Sequence, residues 1–311
     1  MTSMTGRLRP SLPALAPSLL IAVAVLASFA CGRPSSVTFG VLTDTQFQAA
    51  PPSGTRHYDR SWLKLREALG QFSGRDLRFV VHLGDLINGD AASYDIILPA
   101  FAHAPAPVRF VLGNHDFDIS PEKKAGILER LGVGPGHYAF SEGEWRFVVL
   151  NGDELAFNFP MDETLARESR EMYEALVAAG RPNATTWNGG LSRRQMAFLD
   201  AELAAADRDG RPVVVFCHFP VLPPDIHNLW NDEAVVALLD RHPSAKAYLC
   251  GHNHAGGLAV RNDIVYLNFA GLVETAETVA GAVVTLERDR ILVDGFGREP
   301  DRTFPVRRPA H

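Results

Sequence analysis

Short apolar runs recur along this 311-residue chain, and each of five stops on side chains that can hold a metal ion. Residues 39–43 deliver Asp44 and Gln46. Phe79-Val80-Val81 leads to Gly84-Asp85, and Phe110-Val111-Leu112 to Gly113-Asn114-His115-Asp116. Residues 213–216 lead to His218, and 247–250 to Gly251-His252-Asn253-His254. Apolar runs of this length bounded by turn residues read as buried strands. Between them lie stretches with helical spacing: 59–72 (Trp62, Leu65, Leu69, Phe72), 92–102, 121–131, 163–179 and 191–206, the last with Ser192 as N-cap. Residues 138–140 and 145–150 read as a hairpin about Glu142-Gly143. Such alternation predicts an α/β architecture, in which ligands bind beyond the carboxyl ends of the strands. All five motifs stand at that end. The runs at 264–269, 282–286 and 290–296 read as strands of a second sheet, and 151–190 as an insertion over the rim of the site.

The chemistry of the five motifs is that of a site for two divalent cations. Two such ions facing two carboxylates, Asp44 and Asp85, leave about two positive charges, which attract phosphate and lower the pKa of water. Asn114 offers an amide oxygen. His218, His252 and His254 offer imidazole nitrogens, and residues two apart on an extended strand end share one side, so His252 and His254 are expected to face one cluster. His115 then stands beside the ions, where an imidazole can donate a proton to a departing oxygen, with Asp116 expected as its carboxylate partner. His82 lies inside a strand and reads as structural. His57, His103, His137, His227, His242 and His311 read as ordinary. These groups predict a metal-dependent hydrolase of phosphate esters or phosphoanhydrides, with hydroxide held between the ions attacking phosphorus in line.

Composition narrows the alternatives. Hydrophobic residues make up 46% of the chain and the formal net charge is −6, so a large core is available and a nucleic-acid-binding surface is not expected. Arg7 and Arg9 precede an uncharged apolar stretch over 15–30, then Cys31-Gly32. This pattern predicts a secretory signal over 1–31, shorter in its apolar part than the roughly 20 residues of a spanning helix. Cys31 is placed as in a lipoprotein signal, with plain cleavage or an uncleaved anchor as the other outcomes. Residues 32–36 read as a tether, 37–303 as the folded domain and 304–311 as a tail. An exported protein, with the membrane reached only through an N-terminal lipid, follows. Cys217 and Cys250 read as buried hydrophobes, with a disulfide left open. Asn183-Ala184-Thr185 matches a glycosylation sequon, a weak signal.

Asp44-Thr45-Gln46, Gly84-Asp85, Gly113-Asn114-His115-Asp116, His218 and Gly251-His252-Asn253-His254 together resemble the signature of calcineurin-like metallophosphoesterases. That resemblance implies a β-sandwich of two mixed sheets flanked by helices, with a dinuclear metal site at strand C-terminal ends. Most members carry His where this chain has Gln46. Gln at this position resembles the manganese-dependent ADP-ribose/CDP-alcohol diphosphatase branch. So do Gly54-Thr55-Arg56 with Tyr58 and Arg60, Asn188-Gly189-Gly190-Leu191-Ser192, Trp230-Asn231, Gly271-Leu272-Val273-Glu274-Thr275-Ala276 and Pro300-Asp301-Arg302. The resemblance implies Asp44, Gln46, Asp85 and His254 at one ion and Asp85, Asn114, His218 and His252 at the other, with Asp85 bridging and His115 at the phosphoryl group. It also implies Mn²⁺, with Fe or Zn as alternatives, and a diphosphate-linked nucleotide substrate. Arg56, Tyr58 and Arg60 are the expected substrate contacts. The other readings are a phosphodiesterase or phosphomonoesterase of the same superfamily and, in another class, a non-catalytic metal-binding protein.

Overall fold

The computed structural model of the chain describes residues 1–2 and 36–307. One sheet contains β1 (Val37–Leu42), β2 (Phe79–His82), β3 (Val108–Phe110), β10 (Ala280–Leu286), β11 (Arg290–Gly297) and β12 (Arg302–Pro305). The other contains β4 (Tyr138–Glu142), β5 (Trp145–Val149), β6 (Val213–Phe216), β7 (Ala245–Cys250), β8 (Gly257–Arg261) and β9 (Ile264–Asn268). Their orders are β12-β11-β10-β1-β2-β3 and β4-β5-β6-β7-β9-β8. Strands β1-β2-β3 run parallel in one sheet, with β3 at its edge, and β5-β6-β7-β9 run parallel in the other. Antiparallel strands complete the rest of each sheet.

Both faces of each sheet are covered, which is why the strand runs are nearly continuous in apolar residues. Val37, Phe39 and Val41 of β1 enter the core between the sheets, as do Val214 and Phe216 of β6 and Ala247 and Leu249 of β7. Phe39 stacks on Phe79 at 4.8 Å and meets Phe147 and Phe216 edge-on, each at 5.8 Å. Removing such a ring would cost about 3–5 kcal/mol. Helices α1 (Ser61–Gln71), α2 (Ser93–Ile97) and α4 (Ile127–Leu131) pack on the outer face of the first sheet through Leu65, Leu69, Tyr94, Ile97 and Ile127. Helices α6 (Arg193–Asp209) and α7 (Asp232–Leu239) cover the second through Leu199, Leu203, Val235 and Leu239. The Ser192 hydroxyl accepts from Gln195 N at 3.1 Å and starts α6. Gly210, at φ 65°, ends it.

Several expectations change. The helix expected over 92–102 stops at Ile97 and continues as a 3₁₀ helix, Leu98–His103, since Pro99 has no N–H for an α-helical bond. The one expected over 121–131 breaks at Ala125-Gly126 into Pro121–Lys124 (α3) and α4. Of the three strands assigned to a second sheet, only β9 lies beside β7. Strand β10 crosses to β1, pairing Val37 with Leu286 through Val41 with Ala282, and β11 follows it. Helix α7 and strands β8 and β12 had no expected counterpart. Strand β12 carries the sheet past 303, and Phe304 and Val306 belong to the core rather than to a tail. The insertion contains α5 (Glu163–Ala178), started by the Asp162 carboxylate. Cys217 and Cys250 are free and buried. Asn183 is buried, its amide donated to Leu229 O and Trp230 O, so the sequon match is a structural residue. The leader beyond residue 2, the lipidation site and most of the tether lie outside the described residues, among which no helix is long and apolar enough to cross a membrane.

Candidate metal centre

The seven ligand-type side chains follow the C-terminal ends of parallel strands, and all are buried. Asp44 and Gln46 come after β1, Asp85 after β2, Asn114 after β3, His218 after β6, and His252 and His254 after β7. Strand ends alone would not make them converge. Asp44 (φ 51°), Gln46 (φ 43°), Asp85 (φ 59°) and His252 (φ 69°) are four of only eight non-glycine residues with positive φ among the described residues. Each such residue costs on the order of 1–3 kcal/mol and persists where its surroundings hold it, commonly at functional sites. The left-handed turn at His252 corrects the expectation of an extended strand end: His252 and His254 converge through a turn, and Asn253 faces its own loop by accepting from Ala255 N. Two glycines permit the close approach. A Cβ on Gly113 would lie 2.3 Å from Asp85 Oδ1, and one on Gly251 would lie 2.5 Å from Asp44 Oδ2.

The groups form one cluster. Asp44 Oδ1 is 3.2 Å from His254 Nε2 and 4.0 Å from His218 Nε2. Asp85 Oδ2 accepts from Gln46 Nε2 at 3.0 Å and lies 3.2 Å from His218 Nε2, so it joins the two halves. His252 Nδ1 is 3.2 Å from His218 Nε2, and Asp85, His218 and His252 present ligand atoms within 4.8 Å of one another. Asp44 Oδ1, Gln46 Oε1 and Asn114 Oδ1 are buried oxygens without a hydrogen bond. Such groups are costly unless something polar meets them. Each histidine also uses one nitrogen outside the cluster: His218 Nδ1 on Leu83 O at 2.8 Å, His252 Nε2 on Asn188 Oδ1 at 3.1 Å, His254 Nδ1 on Glu274 Oε1 at 2.7 Å. In the neutral ring, donation there leaves the other nitrogen as a lone pair aimed at the cluster, as a metal-ligating imidazole requires. The residues fit a divalent pair. Gln46 fits with its amide turned over, since its nitrogen faces Asp85 and His254.

The electrostatics agree. Burial acts to raise the Asp44 carboxyl, but His254 and His218 hold it below its usual range; burial likewise opposes the lowering of Asp85 by His218 and His115. Burial acts to lower His218, yet Asp85 and Asp44 push it up to about 10. Against the same burial, Asp44 and Glu274 push His254 up to about 9. Burial and the neighbouring His218 drive His252 well below its ordinary value. Protons on two histidines thus occupy the place where a cation would neutralise the carboxylates.

Asp116 is not the partner of His115. Its oxygens accept from Asp85 N, Leu86 N, Gly113 N and the Tyr94 hydroxyl, so it braces the loops that carry Asp85 and Asn114. Burial and the Asp85 charge raise it to about 7. His115 is set by its backbone N–H, which donates to Asp85 Oδ1 at 2.9 Å, and its Nδ1 has no hydrogen bond. His82 is structural, bonded to Thr45 Oγ1 at 2.8 Å. A cavity of about 220 Å³ opens on the cluster, lined by Gln46, Arg56, Asn114, His115, Trp187, His227, His252 and His254. Arg56 lines it, 3.6 Å from Glu274. Tyr58 and Arg60 do not line it; they precede α1, where the Tyr58 carbonyl accepts from Ser61 Oγ. His227, set aside as ordinary, does line it, held by Asp225 on Nδ1 at 2.5 Å. Trp187 packs against His227 and His252. No strand precedes either residue, so neither carried the local signal that marked the ligands.

Comparison with known proteins agrees with this geometry. Residues 37–256 match the family described as calcineurin-like phosphoesterase. The chain is 28% identical over 313 residues to a manganese-dependent ADP-ribose/CDP-alcohol diphosphatase of Danio rerio, covering 86% of this chain and 97% of that protein. It is 27% identical over 312 residues to the Homo sapiens protein of the same name, covering 85% and 91%. Among solved structures, a dimetal phosphatase from Danio rerio superposes with a TM-score of 0.79 at 28% identity, covering 87% of this chain and 99% of that one. A purple acid phosphatase from yellow lupin, 13% identical with a TM-score of 0.55 over 88% of this chain and 54% of its own, shares the fold.

Proposed function

The chain belongs to the calcineurin-like phosphoesterase family and is a phosphohydrolase, and we propose that it cleaves the phosphoanhydride of nucleoside-diphosphate-linked compounds of the ADP-ribose and CDP-alcohol type, with manganese as its metal. The observation that carries this reading is Gln46, an amide within the cluster, 3.0 Å from Asp85 and 3.3 Å from His254, in a chain similar over most of its length to diphosphatases of that name. A neutral amide oxygen suits a hard ion such as Mn²⁺ better than a softer one.

Asp44, Gln46, Asp85 and His254 would hold one ion, and Asp85, Asn114, His218 and His252 the other. A divalent pair supplies positive charge for the phosphoryl oxygens and makes water acidic enough to react near neutral pH. The protein's own groups complete the site. His115, on the cavity wall and anchored through its amide to Asp85, delivers a proton to the departing phosphate oxygen. Arg56 neutralises a phosphoryl charge at the rim, with Glu274 fixing its direction. Trp187, 40% exposed, offers an aromatic face for the nucleoside end. The Asp44, Asp85 and Asp116 carboxylates are buried and braced, so the site repeats its geometry from one turnover to the next.

The test is hydrolysis of ADP-ribose, CDP-choline, a cyclic nucleotide and a nitrophenyl phosphate with added Mn²⁺. Preference for the diphosphates is expected; strong preference for the last two would replace this reading with a phosphodiesterase or phosphomonoesterase. Gln46→His should move activity toward simple esters, and unchanged selectivity removes Gln46 as a determinant. We also propose that the chain works outside the cytoplasm, from its basic, apolar and cysteine-ended leader. Fractionation of cells producing the full chain checks this, and a cytoplasmic location refutes it.

A further inference from the structure

Lys64 in α1 is a buried lysine, 2% exposed, that forms no ion pair among the described residues. Its ammonium donates to three backbone carbonyls: Leu272 at 2.5 Å, Glu274 at 2.9 Å and Thr275 at 2.7 Å. Three donors meet three acceptors, so every proton of the ammonium is used. Burying a cation is unfavourable, and burial together with the nearby Arg298 charge, partly offset by the Glu274 carboxylate, lowers its pKa to about 8. The placement is explained by what those carbonyls belong to.

The loop 271–276 touches the metal centre from three sides. Leu272 N donates to Thr43 O at 3.0 Å and Val273 N to Asp44 O at 2.9 Å, so the loop's amides hold the backbone that turns Asp44 into its left-handed conformation. The Glu274 carboxylate fixes His254 through Nδ1 at 2.7 Å. Gly271 lies against the His254 ring, where a Cβ would come within 2.8 Å of it. Thr275 itself has φ 65°. Three carbonyls turned toward one point repel each other unless a cation lies between them, and Lys64 is that cation.

We propose that Lys64 is a positioning residue for the metal centre: its ammonium gathers the carbonyls of Leu272, Glu274 and Thr275, sets the Glu274 carboxylate on His254 and the loop amides on Asp44, and so governs the affinity of the ion held by Asp44, Gln46 and His254. This rests on the assignment of those three residues as metal ligands under the proposed function.

The experiment is calorimetric titration of the chelator-stripped full chain with Mn²⁺. Lys64→Met keeps most of the length and removes the charge. It is expected to weaken one Mn²⁺ about 10- to 100-fold, leave the other within about twofold, and yield activity that recovers as Mn²⁺ is raised. Glu274→Gln weakens the same ion, and the double variant weakens it no further than the stronger single change, because both act through one contact. Lys64→Arg keeps a buried charge, but its larger planar fork does not match three oxygens gathered around one nitrogen; it weakens the same ion, and is the variant to read if Lys64→Met does not fold. A lowered melting temperature with both Mn²⁺ affinities at the wild-type level in either Lys64 variant would overturn the proposal and leave Lys64 a stabilising residue only. Additive effects in the double variant would overturn the route through Glu274. Asp44→Ala separates the two levels: if it retains both ions, the ligand assignment fails; if it loses one while Lys64→Met binds normally, only the role of Lys64 fails.

Discussion

Gly113→Ala isolates sterics from backbone conformation at the metal centre. Gly113 has φ −132° and ψ 166°, an extended conformation open to alanine. The added Cβ, however, would lie 2.3 Å from Asp85 Oδ1 and 2.5 Å from Asp85 N, where ordinary contact begins at 3.4 Å. The carboxylate must therefore retreat by roughly 1 Å, in line with the spacing that close-packed interiors tolerate. Retreat breaks the His115 N–H bond to Asp85 Oδ1 and displaces the group that joins the two halves of the cluster. A misplacement of about 1 Å costs on the order of 10²-fold in rate, equal to about 2.7 kcal/mol of barrier. Overpacking adds a stability loss of about 1–3 kcal/mol. Steady-state hydrolysis of a diphosphate substrate across an Mn²⁺ titration, with thermal unfolding alongside, measures both. Gly70→Ala in α1 is the control: its Cβ would meet nothing within 4 Å, and a slight gain in stability is expected. Wild-type activity and Mn²⁺ dependence in Gly113→Ala would refute the claim that these loops are packed to their limit around Asp85.

Asn188→Ala removes the acceptor of His252 Nε2 and should weaken Mn²⁺ binding about 10- to 100-fold, seen by calorimetry; an unchanged affinity would show that His252 is oriented without it. Because His218 and His254 rise to about 10 and about 9, Mn²⁺ must displace their protons, so affinity climbs with pH from 6 toward 9 and close to two protons are released at pH 7, measured in buffers of different ionisation enthalpy. The linked stability has the opposite sign: a folded-state pKa raised above 6.5 stabilises fully below pH 6.5 and ceases to as pH passes through about 9–10, so the chelator-treated chain loses melting temperature over that alkaline window. Ser192→Ala deletes the α6 cap and should cost about 1 kcal/mol by denaturant unfolding without altering Mn²⁺ affinity.

The ligands were legible because their signal is local: an apolar run, a turn residue, then a side chain of ligand chemistry. What surrounds them was not. The left-handed conformations of Asp44, Gln46, Asp85 and His252 leave no mark in residue type, since they are imposed by loops that meet only in the fold. Asp116 looked like a partner for its neighbour His115, yet four donors, from two other segments and from Gly113 of its own, claim its oxygens. His227 stands in a loop with no periodic run before it, and only its approach to Trp187 and His252 brings it to the cavity. The sheet assignment of β10 failed for a similar reason: a strand near the C-terminus pairs with the first strand of the domain, and its own residues say only that it is a strand.

The ligands divide by sheet. Asp44, Gln46, Asp85 and Asn114 are carried by β1, β2 and β3, and His218, His252 and His254 by β6 and β7. A cation gripped by donors from both is a rivet driven through one edge of the sandwich. Removing such a cation would then loosen the sandwich at that seam as well as halt turnover, so the ion would set how long each molecule lasts as well as how fast it works.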